Sequence, residues 1–99
     1  MLVSMKEILD DAKARGYGVG FFDTFNSELI LGVMDAAEEM KAPVIIGTAE
    51  VLLPCCDMEM CLAQLLCVAR RSPVPVAVHL DHGFTPRRCT RRWTPGLPR

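Results

Sequence analysis

Histidine is scarce in this chain: only His79 and His82 occur in 99 residues, three positions apart. Long apolar runs are missing. No stretch approaches the roughly 20 residues of a membrane-spanning helix, so no membrane partner is expected. The opening Met1-Leu2-Val3-Ser4-Met5-Lys6-Glu7 has neither the basic start nor the small-residue cleavage site of a secretory leader. The five cysteines are odd in number and follow no disulfide-framework spacing, which points to a reducing, cytoplasmic setting. No G-x-G-x-x-G follows the first predicted strand, which counts against a dinucleotide-binding fold. The length allows one small domain and excludes a large enzyme. The hydrophobic share, 51%, is high for so short a soluble chain and predicts surfaces that meet more protein.

Acidic residues are absent after Asp81, and this exposes a charge split. Residues 1–86 hold six Lys or Arg against all twelve acids, whereas residues 87–99 hold five Arg and no acid. Charge clustering alone reads the tail as a solvated or nucleic-acid-binding arm.

What is present alternates between helix and strand. Ser4 and Glu7 fit a capping box; Met5, Ile8, Leu9 and Ala12 follow at helical spacing, and Arg15-Gly16 supplies a stop. Tyr17 to Phe22 reads as a strand. Asn26 or Ser27 caps a second helix, with Leu29, Ile30, Val33, Met34 and Ala37 as its apolar stripe. Lys41-Ala42-Pro43 ends it. Val44 to Gly47 reads as a short buried strand. Asp57 caps a third helix from about Met58 to Arg70, apolar nearly all round and therefore expected to be sandwiched. Val74 to Val78 reads as a third strand. Continuous apolar strands alternating with helices predict an α/β fold with a parallel sheet covered by helices. Catalytic-type residues at successive strand ends (Asp23, Thr48, Asp81, His82) suit a (β/α)8 barrel, whose active site gathers at that face. A barrel takes about 250 residues; this chain supplies three strands.

The chemistry concentrates in His79-Leu80-Asp81-His82-Gly83. Alternation puts residues 79 and 81 on one face and 80 and 82 on the other until the chain turns. A carboxylate beside an imidazole at a strand tip can supply proton transfer next to a metal ligand; hydrogen-bonded structure is the plainer alternative. The spacing of Cys55, Cys56, Cys61 and Cys67 matches no familiar zinc pattern. Cys61 and Cys67 are expected to pack as small hydrophobes, as are Met34, Met58 and Met60. Cys55-Cys56 falls in a loop and is a candidate reactive thiol.

Residues 1–86 resemble the class II, zinc-dependent ketose-bisphosphate aldolases, the fructose- and tagatose-bisphosphate aldolase family. The segments carrying the resemblance are MLVSMKEILDDAKARGYGVG, FFDTFNSELI, AAEEMKAPVIIG and SPVPVAVHLDHGF. The resemblance implies the N-terminal part, about three βα units, of a (β/α)8 barrel. It implies reversible aldol cleavage of a phosphorylated sugar to glycerone phosphate and an aldehyde, with zinc as cofactor. By position, Asp81 corresponds to the catalytic acid/base, His82 to one of three zinc-ligating histidines, His79 to support behind the ligands, and Asp23 to a substrate-binding position. It also implies a homo-oligomeric, cytoplasmic parent enzyme that binds no nucleic acid. Two positions depart from the common pattern: many members carry Asn at the place of Asp23 and Ser near Ala49. Both leave the sugar open.

Zinc ligation by three histidines needs two beyond His82, and only His79 remains. The tail departs further. Members continue after this segment with a helix ending in an ALDAGxTS-like turn. With codons chosen freely, residues 87–99 re-read in a shifted frame give KMYEALDAGLTS. Residues 87–99 are therefore expected to be an out-of-frame tail, and the isolated chain to be inactive. The alternatives are a non-catalytic truncated product and a small basic-tailed interaction protein. Three strands also leave an open sheet edge, so the isolated chain is expected to be marginal or to aggregate.

Overall fold

In a computed structural model, residues 1–84 are described; the Arg-rich segment 87–99 and Cys89 lie outside them. The element order is α1 (Met5–Arg15), β1 (Phe21–Asp23), α2 (Ser27–Glu39), β2 (Val44–Ala49), a short 3-10 turn (Glu50–Leu52), α3 (Met58–Arg71) and β3 (Val76–Asp81). The three strands form one parallel sheet in the order β1-β2-β3.

Each helix begins where its sequence says it should. The Ser4 hydroxyl accepts from the Glu7 amide while the Glu7 carboxylate accepts from the Ser4 amide, a complete capping box, and Gly16 closes α1 in the left-handed region. The Asn26 side chain accepts from the Leu29 amide, and the Asp57 side chain accepts from the Met60 amide. Lys41, with φ 50°, turns the chain out of α2 before Pro43.

Alternation along the strands divides the apolar residues between two faces. Val44 and Ile46 of β2 and Val76 of β3 meet Ile30, Met34 and Ala37 of α2 and Cys61, Leu65 and Ala69 of α3. On the other face Ile45 and Ala77 meet Ile8 of α1, with Val3, Met5 and Val19 around them. The helix-covered face holds the larger core, and α1 seals the lower part of the opposite face.

Several expectations are adjusted. The first strand covers Phe21–Asp23 rather than Tyr17–Phe22. Glycines at 18 and 20 weaken the leading stretch, although the Gly20 carbonyl still accepts from the Ile45 amide at 3.0 Å. The third strand starts later and runs on to Asp81, so His79, Leu80 and Asp81 are strand residues. The third helix is more one-sided than its composition suggests: Met60 is exposed, and so is Cys67, which therefore does not pack in the core. Leu29 of the α2 stripe is also exposed. It lines an apolar groove of about 530 Å³ with Phe22, Val33 and Met40, on the β1 side of α2.

The edge of β3 is not bare. Leu2 bridges Val76 in parallel, the Val3 amide donates to the Val76 carbonyl at 2.9 Å, and the Val76 amide donates to the Met1 carbonyl at 2.9 Å. The terminal ammonium donates to the Ser72 carbonyl and, at 2.8 Å, to the Val74 carbonyl. The first three residues thus act as a short extra strand over the beginning of β3. Among the described residues no helix is long and apolar enough to cross a membrane.

Candidate active site

Parallel pairing sets Asp23, Gly47 and His79 in one row across the sheet, since Asp23 is level with Gly47 and Gly47 with His79. Asp81, two residues beyond His79, shares their face one step higher, level with Ala49. All lie toward the C-terminal ends of the strands. The structure therefore brings together, at one end of the sheet, the residues singled out in β1 and in the His79–His82 segment.

Gly47 makes this row possible. A Cβ there would lie 2.1 Å from the His79 carbonyl oxygen and 3.1 Å from the Phe21 ring, so only glycine lets β2 and β3 approach this closely. Phe21 in turn meets the His79 imidazole edge-on, ring centroids 5.3 Å apart at 80°, which fixes the ring beside the carboxylates.

Beyond Asp81 the strand stops. His82 (φ 65°) and Gly83 (φ 53°) both adopt left-handed backbone, and the Gly83 amide donates back to the Asp81 carbonyl at 2.9 Å. A histidine in that region is unusual and marks a functional or turn position. The turn ends the alternation and brings His82 Nε2 to 3.2 Å from Asp81 Oδ2. The His82 ring stacks on Phe84, centroids 5.4 Å apart and planes 16° from parallel.

Asp23 feels the cluster. Its carboxyl titrates above the usual carboxylate range, first because of burial, then because the negative charge of Asp81 opposes its ionisation; His79 and His82 pull the other way. A hydrogen bond between the two carboxyl groups adds to the rise. The site thus offers paired carboxyl groups with imidazoles on the same side, a set suited to moving a proton on or off a bound hydroxyl.

Thr24 holds Asp23 in place, and nothing in the composition announces it. Thr24 is fully buried; its amide and its Oγ1 both donate to the Gly47 carbonyl, at 2.7 and 2.9 Å. A Thr directly after a strand-end Asp is the sequence signal that could have found it. Thr48 does not join the cluster. It is level with Leu80, on the helix-facing side of the sheet, where its hydroxyl is buried without a hydrogen-bond partner among the described residues.

The donor set does not by itself fit a metal ion. Among the described residues no three His, Cys, Asp or Glu side chains are grouped to hold one. His82 and Asp81 face each other rather than a common point.

The profile of the family described as fructose-bisphosphate aldolase class-II matches residues 3–97. The chain belongs to the class II fructose-bisphosphate aldolase family. Its relatives include a fructose-bisphosphate aldolase of Thermus caldophilus, 46% identical over 84% of this chain and 27% of the relative. A sulfofructosephosphate aldolase of Alkalicoccus urumqiensis is 40% identical over 81% of this chain and 28% of the relative. The crystal structure of the YdjI aldolase from Escherichia coli K12 superposes with a TM-score of 0.81 at 35% identity, covering 84% of this chain and 32% of that one. The chain spans about a third or less of the length of these class II relatives. Its α/β architecture, three parallel strands in one sheet, is the N-terminal portion of a (β/α)8 barrel.

Proposed function

We propose that residues 1–86 form the first three βα units of a class II aldolase barrel that cleaves and re-forms the carbon–carbon bond of a phosphorylated ketose. The observation that carries this reading is the convergence of Asp23, His79, Asp81 and His82 at the C-terminal end of a parallel sheet in a chain of this family. Aldol cleavage needs a base for the hydroxyl beside the breaking bond. The Asp81 carboxylate takes that proton; the hydroxyl carbon becomes the aldehyde carbonyl, and the electron pair of the broken bond passes to the ketone fragment. In the reverse direction Asp81 returns the proton. Asp23, level with His79 across the sheet and beside Asp81, is placed to bind a substrate oxygen. His79, clasped by Phe21, positions the neighbouring carboxylates. Cleavage of fructose- or tagatose-bisphosphate would give glycerone phosphate and an aldehyde.

The class II family is generally zinc-dependent, and a catalytic zinc commonly has three protein ligands. We assign His82 as one of them and place the others outside residues 1–84. It follows that the 99-residue chain alone is inactive. We further propose that residues 87–99 are an out-of-frame tail, on the codon argument alone; the family match itself runs on to residue 97. The encoding DNA tests that directly: an aldolase frame should overlap codons 87–99 and run on beyond them, and unrelated sequence there would point to a small basic-tailed interaction protein.

The functional reading is tested in a frame-restored, full-length barrel. Asp81→Ala should lower turnover by about 10²–10⁴-fold, the usual worth of a positioned acid/base, with bound zinc unchanged. Replacing His82 should release the metal. Because residue 82 is left-handed, Asn, which tolerates that backbone, is the better substitute than Ala. Equal metal loss in both variants refutes the role assignment. Chelator-sensitive triose-phosphate release by the purified 99-residue chain refutes its inactivity.

A further inference from the structure

We propose that Cys56 and Cys61 form a redox-modification site in which a hydroperoxide closes them into an intramolecular disulfide across the start of α3. Asp57 is the N-cap of α3. Cys56 therefore occupies the position before the cap and Cys61 the fourth helical position, the two places that a hydrophobic staple joins. In most helices that contact is between aliphatic side chains. Here it is between two thiols. Cys56 packs against the core cluster that contains Cys61, and both open onto the same cleft.

The surroundings give the two sulfurs different roles. Cys61 is buried, with Sγ 4.0 Å from the Thr24 carbonyl. Burial pushes its thiol up to about 11, so it holds little thiolate near neutral pH and is a poor first target. Cys56 is half-buried, with Sγ 3.7 Å from the Leu52 carbonyl. Both cysteines line a cleft of about 220 Å³ beneath Phe25, Asn26 and Gln64. A water molecule's share of liquid volume is about 30 Å³, so a hydroperoxide fits.

In the first step the Cys56 sulfur attacks a peroxide oxygen. The sulfur–oxygen bond forms, the oxygen–oxygen bond breaks, and for hydrogen peroxide the departing oxygen leaves as water, giving a sulfenic acid. In the second step the Cys61 sulfur attacks the Cys56 sulfur. The disulfide forms, the sulfur–oxygen bond breaks, and hydroxide leaves as water with the Cys61 proton. Two thiols are oxidised, one peroxide is reduced, and two waters are released. The product ties the loop before α3 to a helix whose first turn touches Thr24, the residue that holds Asp23 in position.

The test uses the whole 99-residue chain. It is treated with hydrogen peroxide in native buffer, capped with N-ethylmaleimide, and digested without reductant by trypsin and a glutamate-specific protease. Cleavage after Glu50, Glu59 and Arg70 puts Cys55 and Cys56 in one peptide and Cys61 and Cys67 in another. The expected product is those two peptides joined, two hydrogens lighter than their sum, with fragmentation placing the bond between Cys56 and Cys61. Cys56→Ser should abolish the link. Cys55→Ser and Cys67→Ser, at exposed positions, should keep it. A link that survives Cys56→Ser overturns the proposal. So does over-oxidation of Cys56 with Cys61 left reduced, or the same mixture of pairings in native buffer as in urea.

Discussion

The lower and upper halves of β3 are built to different rules. At the lower end Val76 and Ala77 are 0% and 1% exposed, and Val74, just before the strand, is 7% exposed. They are sealed by Met1–Val3 along the edge, by Ile8 on one face and by α2 and α3 on the other. From Val78 onward every strand residue is only half buried, polar groups appear, and the backbone leaves the sheet through two left-handed residues. One strand thus separates the residues that hold the fold from those to which we assign the chemistry, as expected for a barrel in which the strands' C-terminal ends are the working face. Substitutions in the supporting core should therefore be read in stability, and those at the strand tip in turnover.

The largest effect should come from the core that supports the lower half. Leu65 of α3 is fully buried against the helix-facing side of the sheet. Leu65→Ala should cost about 2–5 kcal/mol, the range for a large-to-small change in a packed core. Asp81→Ala at the other end should change stability by about 0.5 kcal/mol or less, as a partly exposed site does. Urea unfolding of both variants in the full-length barrel measures this. Similar losses would erase the distinction between the two halves.

Gly47 lies at the boundary and should behave like both. A methyl group there meets the His79 carbonyl oxygen, which belongs to backbone and cannot swing aside. Gly47→Ala should cost about 1–3 kcal/mol through overpacking and also lower turnover, because relief requires β3 to move with His79 and Asp81. Gly32 supplies a contrast. It is inside α2 and lines the apolar groove, and a Cβ added there would meet nothing within 4 Å. In the 99-residue chain Gly32→Ala should stabilise by about 0.5–1 kcal/mol. In the full-length barrel, where we expect a further helix over that groove, the gain should shrink or reverse. Equal gains in both proteins would mean that the groove stays open.

Much of this was legible in the sequence, for identifiable reasons. Helix starts are local: Ser4, Asp57 and the pair Asn26-Ser27 each announce a cap, and Ser4, Asn26 and Asp57 make it. Strand existence followed from continuous apolar runs, but strand limits did not. The ladder runs to Asp81 because β2 extends to Ala49 beside it, and a partner's length is not visible in a strand's own residues. The gathering of Asp23 with Asp81 was legible only through the alternation of strand and helix, which makes the sheet parallel and puts both at one end. Gly47 and Thr24 were missed because their roles are non-local: one is a steric vacancy opposite His79, the other a pair of hydrogen bonds to a residue 23 positions away. Thr48 was misplaced for a related reason. Being at a strand end does not say which face a side chain takes, and its register with Leu80 puts it on the helix-covered face.

The smallest effect expected is electrostatic and sharpens the account of the upper half. The Asp23 carboxyl titrates above its ordinary 3.8, chiefly through burial and then through the charge of Asp81. A raised acid pKa means that ionisation is harder in the folded state than in the unfolded one. The associated stability is fully present below the unfolded value near 3.8 and is lost as pH rises through the folded value. Asp23→Asn cannot ionise and escapes that loss. The variant should therefore gain stability relative to the parent as pH rises from about 4 toward neutrality, and lose the advantage below 3.8. The gain should be small, because Asp23 is exposed and solvent screening weakens such interactions. Repeating the comparison in an Asp81→Asn background isolates the second cause. The pH-dependent gain should diminish there without vanishing, since burial remains. A gain that is independent of pH in both backgrounds would show that the two carboxyl groups do not sense each other, and would remove the electrostatic part of the case for this end of the sheet as a proton-transfer site.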